Sequence, residues 1–165
     1  MDPLALFGLS IVLSFVTWGV IAARFLWPRL RLLGRSEALR PLLTLHAFRF
    51  VGLAFLIPGV VSPELPPAFA KPAAYGDLGA NALALVALLA LRTPAGMALV
   101  WVFNIWGTLD LLYALYQGLI GVRIEPGLLG STFFIPTLLV PLLLITHWLI
   151  FLLLVRPPSA GTSPP

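Results

Sequence analysis

The fold of this chain is decided by residues 41–61, Pro41-Leu-Leu-Thr-Leu-His-Ala-Phe-Arg-Phe-Val-Gly-Leu-Ala-Phe-Leu-Ile-Pro-Gly-Val-Val61, a run long and apolar enough to cross a bilayer. Within this run lie one histidine and one arginine, His46 and Arg49. A charged side chain at that depth costs at least about 2.5–3.5 kcal/mol on insertion scales, so it should face a partner or a wet cavity. Because residues three apart share one face of a helix, we expect both side chains to point into the protein.

The composition of the whole chain is typical of a membrane protein. Its 165 residues are 60% hydrophobic and 10% charged, with a mean hydropathy of +1.04, whereas soluble domains are roughly 45–50% apolar and 25% charged. Cysteine is absent, which excludes disulfides, thiolate metal sites, iron–sulfur clusters and cysteine nucleophiles. The net charge of +4 comes from arginines beside the apolar runs. Membrane orientation explains this placement better than nucleic-acid binding, so no nucleic-acid partner is expected.

Five apolar stretches approach the length needed to span the hydrocarbon, at about 4–27, 41–61, 76–92, 95–118 and 132–155. The sequence therefore predicts an all-α membrane protein, a bundle of five transmembrane helices. Residues 1–156 are expected to form a single five-helix domain, and the proline-rich residues 157–165 a disordered tail. The first stretch is interpreted as a retained span rather than a signal peptide. The connection 62–75 is expected to be an irregular loop at the membrane interface.

The basic residues predict an orientation for these spans. One side of the membrane receives Arg24, Arg29, Arg31, Arg35, Arg40, Arg92 and Arg156. The other side receives only Lys71 and Arg123, together with the acidic residues Asp2, Glu64, Asp77 and Glu125. The positive-inside rule then puts the N-terminus outside and the C-terminus in the cytoplasm. The predicted location is the cell (inner) membrane, with multiple passes.

Four polar residues are predicted to form a tier near the middle of the membrane: Arg49, Asn81, Asn104 and Asp110. At about 1.5 Å of rise per residue, Arg49, Asn104 and Asp110 each lie within about 5 Å of the middle of their spans. The Arg49 side chain is therefore expected to reach either Asn104 or Asp110. Two interpretations remain open: an ion pair that fixes helix order, or the lining of a cavity for a polar headgroup, substrate or proton.

The two histidines, His46 and His147, fall at nearly equal depth on different spans. Together they could ligate a b-type haem between the helices, with Arg49 near a propionate. Alternatively, each imidazole donates one hydrogen bond to a neighbouring helix. A metal site is not expected, because zinc needs three or four ligands and neither a carboxylate nor a thiol lies at that depth.

Enzyme signatures are missing: the chain contains no Gly-x-Ser-x-Gly, no His-Glu-x-x-His and no phosphate-binding loop. We therefore expect a non-enzymatic integral membrane protein that binds or moves a small amphipathic molecule, or acts as a membrane subunit, through the polar tier. The alternative is a redox protein that holds haem b through His46 and His147. The expected partners are the lipid bilayer and either a small amphipathic ligand or a partner membrane subunit. A homodimer is compatible with the small size.

Overall fold

A computed structural model describes residues 2–157, which contain helices and connections but no strand. Five helices are long and apolar enough to cross a membrane: α1 (Pro3–Leu30), α2 (Arg35–Leu56), α3 (Pro67–Ala90), α4 (Gly96–Gly121) and α5 (Ile135–Val155). The prediction of an all-helical chain with five membrane-length helices is confirmed, and it indicates a multi-pass membrane protein. Apart from Pro157, the predicted tail lies outside the described residues.

The limits of two helices differ from the sequence-based prediction. α2 begins at Arg35 rather than at residue 41 and ends at Leu56, just before a turn in which Gly59 adopts φ +85°. α3 begins at Pro67 rather than at residue 76, because proline suits the first turn of a helix, where its missing N–H costs nothing. The prediction of an irregular loop over 62–75 is therefore wrong from Pro67 onward.

Prolines explain most of the irregular turns within the helices. A π-helical turn over Ala22–Leu26 precedes Pro28 in α1, and another over Ile135–Leu139 lies between the start of α5 and Pro141. Proline has no N–H to donate to the preceding turn, which frees a carbonyl oxygen and disturbs the local hydrogen-bond register. α4 also ends in a π-helical turn, over Gln117–Gly121.

α2 changes its winding half-way along the bundle. It is α-helical over Arg35–His46 and continues as a 3₁₀-helix over Arg49–Leu56. A 3₁₀-helix has three residues per turn, so side chains three apart lie above one another. The buried residues of this segment are accordingly Arg49, Gly52 and Phe55. The change in winding thus aligns the arginine with a glycine on the face that packs inward.

α3 packs against both α2 and α4, while α1 packs mainly against α5. The inward face of α3 is a row of small residues at helical spacing, Ala70, Ala73, Ala74, Ala80, Ala84 and Ala87, which permits close helix approach. One end of the bundle, the N-terminal end, carries residue 2 and the connections 57–66 and 122–134. The opposite end, the basic end, carries the arginines at positions 29, 31, 35, 92 and 156.

Candidate functional site

The site is organised around the side chain of Arg49, which is completely enclosed between α2, α3 and α4. Its Nε donates to Asp77 Oδ1 at 2.7 Å, and its Nη2 donates to Asp110 Oδ2 at 2.5 Å. Its Nη1 donates to the carbonyl oxygen of Gly107 at 3.2 Å and lies 3.5 Å from His147 Nε2. Buried charges must be paired and hydrogen-bonded to be tolerated. Here one guanidinium meets two carboxylates, so the cluster contains one more acid than base.

Two glycines make room for the carboxylates of this cluster. A Cβ added at Gly52 would fall 2.7 Å from Asp77 Cβ and Cγ. A Cβ added at Gly76 would fall 2.5 Å from Asp110 Cγ and would overlap its Oδ1. Neither approach is possible for a residue with a side chain unless the carboxylate moves. The glycines on α2 and α3 therefore form sockets into which the aspartates of the neighbouring helices fit.

The predicted tier residue Asn81 does not contact Arg49 in a hydrogen bond. Its Nδ2 donates instead to the carbonyl oxygen of Ala47, at the point where the α-helical part of α2 ends. Carbonyl groups at a helix end lack intrahelical donors and need outside partners. Asn81 supplies such a donor for Ala47. It therefore stabilises α2 at the point where its winding changes, just before Arg49.

The second predicted amide, Asn104, bonds to His147 rather than to Arg49. Its Nδ2 donates to the carbonyl oxygen of His147 at 3.2 Å, and its Oδ1 lies 2.7 Å from His147 Nδ1. Because that oxygen can only accept, the proton of the neutral imidazole is on Nδ1. The lone pair of Nε2 then faces Arg49 Nη1. His147 thus links the amide of α4 to the charged cluster.

The rings of His46 and His147 are in direct contact, with their centroids 4.1 Å apart, and Phe103 packs against both. His46 Nε2 lies 3.0 Å from Thr146 Oγ1, whose own proton is donated to the backbone of α5. His46 Nε2 must therefore donate, which leaves Nδ1 as an acceptor. Within residues 2–157 this buried nitrogen has no hydrogen-bond partner.

This arrangement does not fit a haem between the two histidines. A porphyrin would have to lie between rings that already touch. Both nitrogens of His147 also face protein groups, Asn104 on one side and Arg49 on the other. In the described part of the chain, no group of three histidine, cysteine, aspartate or glutamate residues is placed to hold a metal ion.

Two apolar cavities meet at the charged cluster. The first, which we call the axial cavity, measures about 40 Å³ and extends from Asp77 and Asp110 toward the N-terminal end. Its other walls include Phe7, Phe55, Phe69, Leu111, Ile124 and Leu129. The second, the lateral cavity, measures about 150 Å³ and lies between α2 and α5, with Phe48, Arg49 and Asp77 among its walls. Both cavities share Asp77 and Leu111, so they adjoin at the ion pairs.

The axial cavity is bordered on its N-terminal side by a wider and more polar space. This vestibule measures about 670 Å³ and is lined in part by Asp2, Arg123 and Glu125. It shares Gly118, Leu119 and Ile124 with the axial cavity. On the other side of the histidines, the bundle is a tightly packed apolar layer that includes Leu39, Leu43, Val100, Phe103, Ile150 and Leu153. The axial and lateral cavities thus adjoin the site on its N-terminal side and laterally.

Residues 6–155 match the protein family described as Domain of unknown function (DUF8737). The chain belongs to this family. The DUF8737 match contains all five membrane-length helices from residue 6 onward, and with them the whole Arg49 cluster and both histidines. Asp2 of the vestibule and Arg156 at the basic end lie outside the DUF8737 range. No curated protein and no solved structure matched the chain.

The predicted tier omits Asp77, which contacts Arg49 in the structure. The sequence-based orientation assigns Asp77 to the outer side, because the third span is predicted to begin at residue 76. In the structure α3 begins at Pro67, so Asp77 lies three turns inside it and is only 7% exposed. A signal was present in the sequence: Asp77 continues the helical spacing of the alanines of α3 that face inward, such as Ala73 and Ala80.

Proposed function

We propose that this DUF8737 protein is a non-enzymatic membrane protein that binds a small amphipathic molecule at the Asp77–Asp110 end of its cavities. The observation that carries the proposal is the shape and chemistry of the axial cavity. Its walls are almost entirely apolar, and its inner end is formed by two carboxylates. A pocket with apolar walls and a few convergent polar groups is the usual form of a small-molecule site.

The polar end of the ligand is expected to be a hydrogen-bond donor. The guanidinium of Arg49 is completely enclosed, whereas 11% of the Asp77 side chain and 13% of the Asp110 side chain remain exposed. A molecule in the axial cavity therefore meets the acceptor oxygens of the two aspartates, and Arg49 is not among the residues that line that cavity. Since the cluster contains one more acid than base, a hydroxyl or an amine is favoured over an anionic headgroup.

The apolar part of the ligand has two possible places. The axial cavity is narrow: about 10–15 Å³ is enough for one water, so its 40 Å³ accommodates a few waters or a short apolar segment. The lateral cavity between α2 and α5 is larger, at about 150 Å³, and its walls are also apolar. The packed layer beyond the histidines favours binding over passage through the bundle.

The orientation and location belong to the proposal as well. The arginines of the basic end favour placing that end in the cytoplasm, with the N-terminus outside. The cavities would then open toward the outer half of the cell (inner) membrane. Exposed apolar side chains on α1, such as Leu13 and Val16, are what lipid contact requires, so they do not by themselves favour a partner subunit or a homodimer.

Matched probes of one chain length can test this proposal. We suggest comparing decylamine, decanol and decanoate with the purified protein in lipid discs and measuring the midpoint of thermal unfolding. Decylamine and decanol are expected to raise the midpoint, because their headgroups can donate to the carboxylates. Decanoate should have less effect, because a second anion beside Asp110 is repelled.

A pair of substitutions on α4 provides the control. Ala114→Leu fills the axial cavity without removing a charged group, whereas Ala98→Leu adds the same atoms at an exposed position of the same helix. The effect of decanol should disappear in the first variant and persist in the second. If the three probes stabilise wild type and Ala114→Leu equally, the axial cavity does not hold the ligand, and the proposal, which that cavity carries, fails.

A further inference from the structure

A separate cavity lies at the basic end of the bundle, far from the Arg49 cluster along the helices. It measures about 420 Å³ and is formed where α2 begins, where α3 turns into α4, and where α5 ends. Three of the residues that line this cavity are arginines: Arg35, Arg92 and Arg156. Its volume is within the usual range of small-molecule sites, roughly 300–1,000 Å³.

Two of these arginines are held in place without being neutralised. Arg35 Nη2 donates to the carbonyl oxygen of Arg156, and Arg156 Nη1 donates to the carbonyl oxygen of Arg31 at 2.7 Å. Carbonyl partners orient a guanidinium but leave its full charge in place. Among residues 2–157, neither Arg35 nor Arg156 lies within ion-pair distance of a carboxylate.

The third arginine, Arg92, is paired with a carboxylate that lies outside the cavity lining. Arg92 Nη2 lies 3.1 Å from Glu37 Oε1, and the same carboxylate lies 3.9 Å from Arg40. The cavity therefore retains the positive charge of Arg35 and Arg156, with Arg92 partly compensated. The residues that line the cavity also include the apolar Leu91 and Leu153.

We propose that this cavity binds a phosphate-bearing group, from an anionic phospholipid headgroup or from a soluble phosphate ester. The planar guanidinium presents a fork of donors that matches phosphate oxygens. Ser36, which carries a hydroxyl, also lines the cavity. The apolar walls suit the glycerol and first methylenes of a lipid. This inference is independent of the ligand proposed for the axial cavity, because the two sites share no residue.

Retention of lipid can be measured on the intact protein. The protein is prepared in phosphatidylcholine discs with a minority of phosphatidylglycerol, released into the gas phase, and weighed with its bound lipids. We expect retained phosphatidylglycerol on the wild type. Because each of these substitutions removes a charge-assisted hydrogen bond to the phosphate, Arg92→Gln should reduce retention roughly tenfold and Arg156→Gln at least as much. Arg92 is exposed, so its substitution is not expected to impair folding.

Two further variants sharpen this test. Arg29→Gln removes an exposed arginine at the same end but outside the cavity, and it should leave retention unchanged. Glu37→Gln removes the carboxylate that compensates Arg92, and it should increase retention. Loss of retention in Arg29→Gln equal to that in Arg92→Gln would mean only diffuse attraction and would overturn the site.

A second arm distinguishes the two sources of phosphate. Glycerol 3-phosphate is added to protein in phosphatidylcholine alone, and its binding is followed by calorimetry. If it binds and Arg92→Gln weakens that binding, the site takes soluble phosphate esters. If only phosphatidylglycerol is retained, the site is a lipid headgroup site. If neither binds to the wild type, the proposal is wrong.

Discussion

The carbonyl oxygen of Gly107 accepts a hydrogen bond from Arg49 Nη1 at 3.2 Å. A Cβ added at Gly107 would fall 2.8 Å from Arg49 Nη1 and 2.6 Å from His147 Cε1. The glycine thus provides both an acceptor and the space for the guanidinium. The position of the Arg49 guanidinium therefore depends on the close packing of α2 against α4 at Gly107.

Gly107→Ala is predicted to destabilise the protein by about 1–3 kcal/mol, since overpacking forces neighbouring groups from their positions. The measurement is the free energy of unfolding in mild detergent. Gly8→Ala is the matched control, because nothing lies within 4 Å of a Cβ added there. Equal stability of the Gly107 and Gly8 variants would contradict the close approach of Arg49 to α4.

Replacing His147 with leucine is predicted to cost more stability than the same change at His46. His147 bonds to Asn104 and faces Arg49, whereas His46 bonds, among residues 2–157, only to Thr146. Each buried polar group left without a partner costs about 1–3 kcal/mol. Thermal unfolding of the two variants side by side measures the difference. The reverse order would show that the ring nitrogens of His147 are not engaged in the way described.

An absorption spectrum tests whether the histidines hold haem. Because their rings touch at a centroid distance of 4.1 Å, protein produced with haem available is predicted to purify without a Soret band. A Soret band that disappears in both His46→Leu and His147→Leu would require the two helices to separate. It would revive the redox alternative.

Cysteine labelling tests the proposed orientation, since the natural chain has no cysteine. Glu64→Cys is exposed at the N-terminal end and Ala95→Cys is exposed at the basic end. In intact cells, a membrane-impermeant maleimide is predicted to label the first variant, and the second only after permeabilisation. The opposite labelling pattern would mean that the N-terminal end, and the cavities near it, face the cytoplasm.

The sequence predicted five helices of membrane length because apolar length alone decides their number, although the limits of two of them differ. It also placed Arg49 and Asp110 near the middle of the membrane, where the structure pairs them at 2.5 Å. It could not choose between Asn104 and Asp110 as the partner of Arg49. That choice depends on the 3₁₀ winding after His46, which rotates the following side chains relative to an α-helix.

The omission of Asp77 has a different physical origin. Hydropathy places a helix end where polarity and prolines begin, and residues 62–75 contain four prolines, a lysine and a glutamate. The structure continues the helix through most of that stretch, from Pro67 onward. A carboxylate that hydropathy assigns to the surface therefore lies inside the bundle, against Arg49.

The most direct test of the account is to remove the charges of the cluster in steps. Arg49→Met alone leaves Asp77 and Asp110 buried without their cation and is predicted to cost about 3–5 kcal/mol of unfolding free energy. Adding Asp77→Asn and Asp110→Asn to that variant removes the unpaired charges, so most of the loss should be recovered. If the triple variant is no more stable than Arg49→Met, the three side chains do not form the buried ion pairs on which this account depends.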